Sequence, residues 1–345
     1  MNPESWHSNP FRSAILAGGS FAIGIFLLIG LCSLYSIQIG DVEKILHEIN
    51  LSFAVLIFAS TFFHFWITGV KWRIVTQKIT SISQTNTNFF LYSSLTGLLS
   101  QAIPLQFCVL FVRTLATRWH DNLSLKKGAA SAVYDQFFDL LIPLLILGPG
   151  LLYIFNAVDK MIFVVITSIL FLILLLFISF AGEQIIIRLL KFGALLPYVG
   201  THLKKKVQDL QINNREGILA PGTIAIIFFL SLIRYINLLL RYYVVSLAIG
   251  ADISFFQVTA AMPAIHLSII LPITPAGLGV AEWGWVGILS FMGTGLDDAT
   301  SFALFARILV FISVVTVCTI AYLFAIVFRR TPLRDRQGAT RHFEK

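Results

Sequence analysis

Apolar runs recur along the chain at about 14–39, 51–70, 89–112, 129–156, 161–181, 222–249, 255–293 and 299–328. An α-helix needs roughly 20 predominantly apolar residues to cross a bilayer, so eight such runs call for an all-α polytopic membrane protein. Composition agrees: only 12% of the 345 residues are charged, against about 25% in a soluble domain. The longest stretch between runs, 182–221, leaves no separate soluble catalytic domain. The first run exceeds a signal-peptide core and shows no clear small-residue cleavage site, so it is expected to remain as a helix. Cys32, Cys108 and Cys318 all fall in apolar runs and suit neither a disulfide nor a metal site.

Two of the runs are broken from within. The first break is Gln101-Ala-Ile-Pro104-Leu-Gln106. The second, Leu271 to Gly287, holds Pro272, Thr274, Pro275, Gly277, Gly279 and Gly284, with Glu282 among them. Proline removes a backbone donor and glycine loosens a helix. Irregular backbone at membrane depth survives only where protein or a wet cavity satisfies its polar groups. A break joined to a carboxylate therefore points to a binding or transport site; a kinked spanning helix with a satisfied Glu282 is the alternative.

Loop charge decides whether the broken runs cross the membrane. If both cross, Lys and Arg divide 11 to 11 between the two sides; if both enter and return to the same side, they divide 20 to 2. Cytoplasmic loops carry an excess of Lys and Arg, which selects the second arrangement. The expectation is six full spans and two re-entrant hairpins, with both termini cytoplasmic. The order is span, span, hairpin, span, then the same again inverted. Repeat one covers about 14–156, repeat two about 161–328, and 329–345 forms a basic cytoplasmic tail. Inverted repeats that place discontinuous helices near the midplane are a transporter architecture. Between them, residues 183–218 mix isoleucines and leucines with Arg188, Lys191 and Lys204 to Lys206. They read either as a surface helix on anionic lipid or as a basic loop.

Ionised groups inside apolar runs are costly, at roughly 3 kcal/mol or more each. Asp135 and Asp139, four apart, share one helix face, and so do Arg234 and Arg241, seven apart. Arg307 lies midway along the last run and Glu282 follows the second break. The three acids and three arginines balance, which suggests an internal network. Either they pair to hold the bundle together, or they line a cavity. Arginine forks match phosphate oxygens and half-helix N-termini favour anions, so a phosphate-bearing lipid head fits better than a neutral sugar. His64 and His266 lie in apolar runs as packing residues or proton relays. There is no Walker A loop, HExxH, strand-borne GxSxG or metal-spaced Cys/His set. No catalytic group, metal, cofactor or nucleic-acid partner is expected.

The stretch LPITPAGLGVAEWGWVGILSFMG followed by FALFARILVF resembles the signature of the lysylphosphatidylglycerol synthase transmembrane family, P-x-T-P-G-G-L-G-x-x-E and then an arginine in the last helix. Pro272, Thr274, Pro275, Gly277, Leu278, Gly279, Glu282 and Arg307 fall on its positions, with Ala276 where a glycine is usual. Lys71-Trp72-Arg73, Pro104 with Arg113, and Asp139 are similar to first-half motifs; Gln106-Phe107 and Asp135-Gln136 depart from them. The resemblance implies a flippase-like membrane region, without the soluble domain that performs aminoacyl transfer. Taken with the interior charges, it points to a site of Arg113, Asp135, Asp139, Arg234, Arg241, Glu282 and Arg307 beside the breaks. The expected partner is an anionic or polyprenyl-linked lipid in a prokaryotic cytoplasmic membrane. Two other roles stay open: a membrane partner of a separately encoded transferase, and an enzyme acting on polyprenyl-linked sugars.

Overall fold

The computed structural model describes residues 22, 25–33, 49–80, 86–121, 124–193, 220–270 and 274–329. These residues form helices throughout, with no strand among them. Helix α1 is the helical stretch 25–33. It is followed by α2 (Leu51–Thr80), α3 (Asn86–Leu99), α4 (Leu105–Asp121), α5 (Leu125–Ile154) and α6 (Lys160–Gly193). Then come α7 (Pro221–Ala248), α8 (Phe255–Ile270), a 3₁₀ turn at Pro275–Gly277, α9 (Val280–Phe291) and α10 (Leu296–Arg329). The apolar part of the basic stretch after 183 continues α6 to Gly193; the Lys204 to Lys206 run, the tail beyond Arg329 and Pro272 lie outside the described residues.

Among the described residues four helices, within α2, α5, α7 and α10, are long and apolar enough to cross a bilayer. The chain is a multi-pass membrane protein. Both broken runs are split as their sequences dictate. At Gln101 to Pro104 the helical bonding gives way to turns, and α4 restarts with Phe107 donating to the Pro104 carbonyl. In the second run Ala276, Gly277 and Gly279 all take positive φ, which ends the 3₁₀ turn and sets up α9. The four resulting helices have 12 to 17 residues, about 18–26 Å at 1.5 Å per residue. None is long enough to span the roughly 30 Å hydrocarbon core by itself. Pro143 and Pro149 sit inside α5 and Pro263 inside α8, tolerated in apolar helices where neighbours satisfy the freed carbonyls.

The most extensive interface joins α2 to α7. It is built on polar side chains, a usual glue between membrane helices. Asn237 donates to the Ser60 carbonyl at 3.0 Å, Ser60 donates to the Asn237 side chain at 3.1 Å, and Lys71 reaches Ser231 at 3.1 Å. Positions rise along α2 as they fall along α7, so the two helices are antiparallel. The broken pairs then change partners: α8 packs on α5 and α3 on α10. At the outer end of α3–α4, Phe89 and Ala116 both pack on Trp72, near the end of α2. At the outer end of α8–α9, Gln257 donates to Thr294 at 3.1 Å. The main core fills the space between α5, α7, α8, α9 and α10, where Trp285 meets Phe302 edge-on at 5.0 Å and Tyr242 at 5.5 Å. Large apolar side chains face outward, as Phe26, Trp66, Phe111 and Ile169 do, a surface suited to lipid.

Candidate functional site

The inner ends of both broken pairs converge on a cavity of about 450 Å³. Its wall takes residues from α2, α3, α4, α5, α7, α8, α9 and α10. Arg113, Asp139, Arg234, Arg241, Glu282 and Arg307 all line it, as does Gln101 from the first break. Asp135 is fully buried behind this wall. The volume lies within the range of small-molecule sites, about 300–1,000 Å³.

The charges form two groups. In the first, Asp135 and Asp139 on α5 face cations from three other helices. Arg113 of α4 pairs with Asp135 and Arg234 of α7 pairs with Asp139 at 3.0 Å. Lys71 of α2 pairs with Asp139 and stands 3.4 Å from Asp135. It also donates to the Asp135 carbonyl and to Ser231, each at 3.1 Å, which satisfies an ammonium with no exposed surface. Gln136 bridges the carboxylates, donating to Asp135 at 3.3 Å and Asp139 at 3.4 Å. The Arg113 guanidinium also lies over the Trp72 ring, 5.0 Å from its centroid, a favourable cation–π arrangement.

In the second group, Glu282 pairs with Arg307. Its other oxygen accepts the Gly279 N–H at 2.7 Å, capping α9. Arg307 donates with both Nη groups to the Ala276 carbonyl, at 3.1 Å each. Gly277 N–H bonds the Thr274 carbonyl at 3.1 Å, while the Thr274 hydroxyl is buried without a hydrogen-bond partner.

Arg241 belongs to neither group. Among the described residues its hydrogen-bond partner is the Thr61 hydroxyl at 3.3 Å, and its Nε has none. Arg234 additionally donates to His64 at 3.5 Å, and His266 stands edge-on to Tyr235 at 6.1 Å. Both histidines line the cavity.

The expected balance of three acids and three arginines does not hold. Lys71 and Arg113, which charge counting assigned to loops, are buried inside α2 and α4. Five cations thus meet three carboxylates, an excess of two positive charges among the described residues. Lys71 is the participant that helix spacing missed: it stands at the edge of an apolar run and reads as a flank. Its Lys-Trp-Arg context was the signal that marked it. Among the described residues no group of His, Cys, Asp and Glu could hold a metal ion.

Fold and site together define a polytopic helical membrane protein with a charged cavity between two broken helix pairs. The chain belongs to the lysylphosphatidylglycerol synthase TM region family, whose profile matches residues 15–318. This places it among membrane proteins of lipid synthesis or handling. No curated protein and no solved structure matches the chain.

Proposed function

We propose that this protein binds a lipid with a phosphate-bearing head group in the charged cavity and moves it across the membrane. The observation that carries the reading is the cavity itself. Four arginines, Arg113, Arg234, Arg241 and Arg307, line a space of head-group size where both helix breaks meet. An excess of arginine over carboxylate in a low-dielectric interior favours an anion, and guanidinium forks suit phosphate oxygens. Asp135 and Asp139 position the cations; Glu282 holds the second break in shape.

The proposed topology is six spans and two re-entrant hairpins in a four-plus-four inverted repeat, with both termini cytoplasmic in a prokaryotic inner membrane. Three features support it. The flanks of each broken pair lie together, Phe89 with Ala116 on Trp72 and Gln257 with Thr294. The hairpins follow α2 and α7, which are antiparallel, so they enter from opposite ends. Each hairpin also packs on the last span of the other half, α8 on α5 and α3 on α10.

Liposomes carrying the purified protein and head-labelled anionic lipids test the transport reading. Protein-dependent loss of label to an impermeant quencher is the expected result. No acceleration for any phospholipid or polyprenyl phosphate would leave the transferase-partner role in its place.

A further inference from the structure

We infer that the occupant of the cavity carries two negative charges on phosphate oxygens, as a terminal phosphomonoester or a diphosphate does, and that Arg241 is its principal ligand. The inference rests on the lipid-binding reading and narrows it to a substrate class.

It starts from how the charges divide. Arg307 and Glu282 neutralise each other, and both are engaged in holding the second break. Lys71, Arg113 and Arg234 share only Asp135 and Asp139, which leaves one positive charge over. Arg234 is the member of that trio placed to use it: it lines the cavity with 11% of its side chain exposed, and its carboxylate is shared with Lys71. Arg241 supplies the second charge. It is 6% exposed, lines the cavity, and has no carboxylate among the described residues within ion-pair distance. Arg113 and Arg234 also leave their Nε unpartnered, but each has a carboxylate. The Arg241 guanidinium instead faces the Thr61 hydroxyl and the Tyr242 ring, 5.9 Å from its centroid. A buried charge calls for a counter-charge and full hydrogen bonding. An anion arriving in the cavity supplies both.

Arg234 and Arg241 stand seven residues apart on one face of α7, about 10 Å along the axis. Two long side chains can converge across that distance on one phosphate, or each take one phosphate of a diphosphate. A phosphodiester carries a single charge and leaves one cation uncompensated. A phosphomonoester well above its second pKa of about 6 carries close to two, and a diphosphate carries two or more. The shared chemistry is a doubly charged phosphate, whether it arrives on a lipid or free in solution.

The test is equilibrium binding to the purified full chain in neutral detergent at pH 8. The probes are dioctanoyl phosphatidic acid, geranyl diphosphate, dioctanoyl phosphatidylglycerol and inorganic phosphate. Expected is a Kd for phosphatidic acid or the diphosphate at least tenfold below that for phosphatidylglycerol. Arg241→Gln should shrink that preference to less than threefold, and Arg241→Lys, which keeps the charge, should lose less. If Arg241→Gln does not fold, Arg234→Gln reads the same loss of preference. Inorganic phosphate binding as tightly as phosphatidic acid supports the site with a free anion as its source. Equal affinity for phosphatidylglycerol and phosphatidic acid overturns the inference while leaving the lipid-binding reading standing. So does an unchanged preference in the Gln variants. Binding of none of the probes removes both.

Discussion

Arg307 and Glu282 form an ion pair across α10 and α9 that also fixes the backbone of the second break. Glu282 accepts the Gly279 N–H, and Arg307 chelates the carbonyl of Ala276. At the first broken pair an ion pair runs from Arg113 on α4 to Asp135 on α5. The polarity is reversed: the base lies on the broken pair in one link and the acid does in the other. Each broken pair is thus tied to the helix that follows it. Both ties reach the cavity wall, but Arg307 is the more open, 21% exposed against 2% for Arg113.

Glu282→Gln keeps an oxygen for the Gly279 N–H but removes the charge opposite Arg307. Arg307→Ala also frees the Ala276 carbonyl. Losing one partner of a buried pair costs about 3–5 kcal/mol; the partial exposure of Arg307 lowers this to roughly 2 kcal/mol. Both variants should insert, melt earlier, and move lipid at least tenfold more slowly in liposomes. Native transport rates in both would reduce the pair to a structural brace.

Asp139 serves two cations, whereas Lys71 shares two acids that each have another partner. Removing Lys71 leaves two matched pairs, Arg113 with Asp135 and Arg234 with Asp139. Removing Asp139 leaves three cations on one carboxylate. Asp139→Asn is expected to destabilise by about 3–5 kcal/mol, and Lys71→Met by clearly less. Thermal unfolding in detergent gives the order, and the reverse order would contradict this division of the charges.

Ala276 takes φ 49 and Gly277 φ 68, a region that costs an L residue about 1–2 kcal/mol. Ala276 occupies the position where the family signature has glycine. Ala276→Gly should therefore leave the melting temperature unchanged or raised. Gly277→Ala should lower it, because a Cβ there would also meet Ile269 Cγ1 at 2.8 Å. Ile269→Ala added to Gly277→Ala should restore the part due to contact and not the part due to φ.

Single cysteines on a background lacking Cys32, Cys108 and Cys318 test the topology. Thr87→Cys and Arg118→Cys, at exposed positions flanking the first broken pair, should react with an impermeant maleimide from the same membrane face. Asp252→Cys and Gly295→Cys, exposed at the flanks of the second, should both react from the opposite face. A pair that labels from two different faces would show that its helices cross.

The membrane class, the positions of both breaks and six of the interior charges were legible in the chain, because each is a local property. Apolar length sets a span, proline and glycine interrupt a helix, and an ion in an apolar run stands out whatever surrounds it. Gln101 to Pro104 and Thr274 to Gly279 break where their residues require. Charge balance was not local. Lys71 and Arg113 border apolar runs, so in one dimension they resemble the flanks that loops supply. Only the packing of α2 and α4 against α5 carries them inside, where Asp135 and Asp139 replace water as their partners. The same packing leaves Arg241 with no carboxylate among the described residues, a fact that depends on which helices meet and not on which residues are neighbours in sequence.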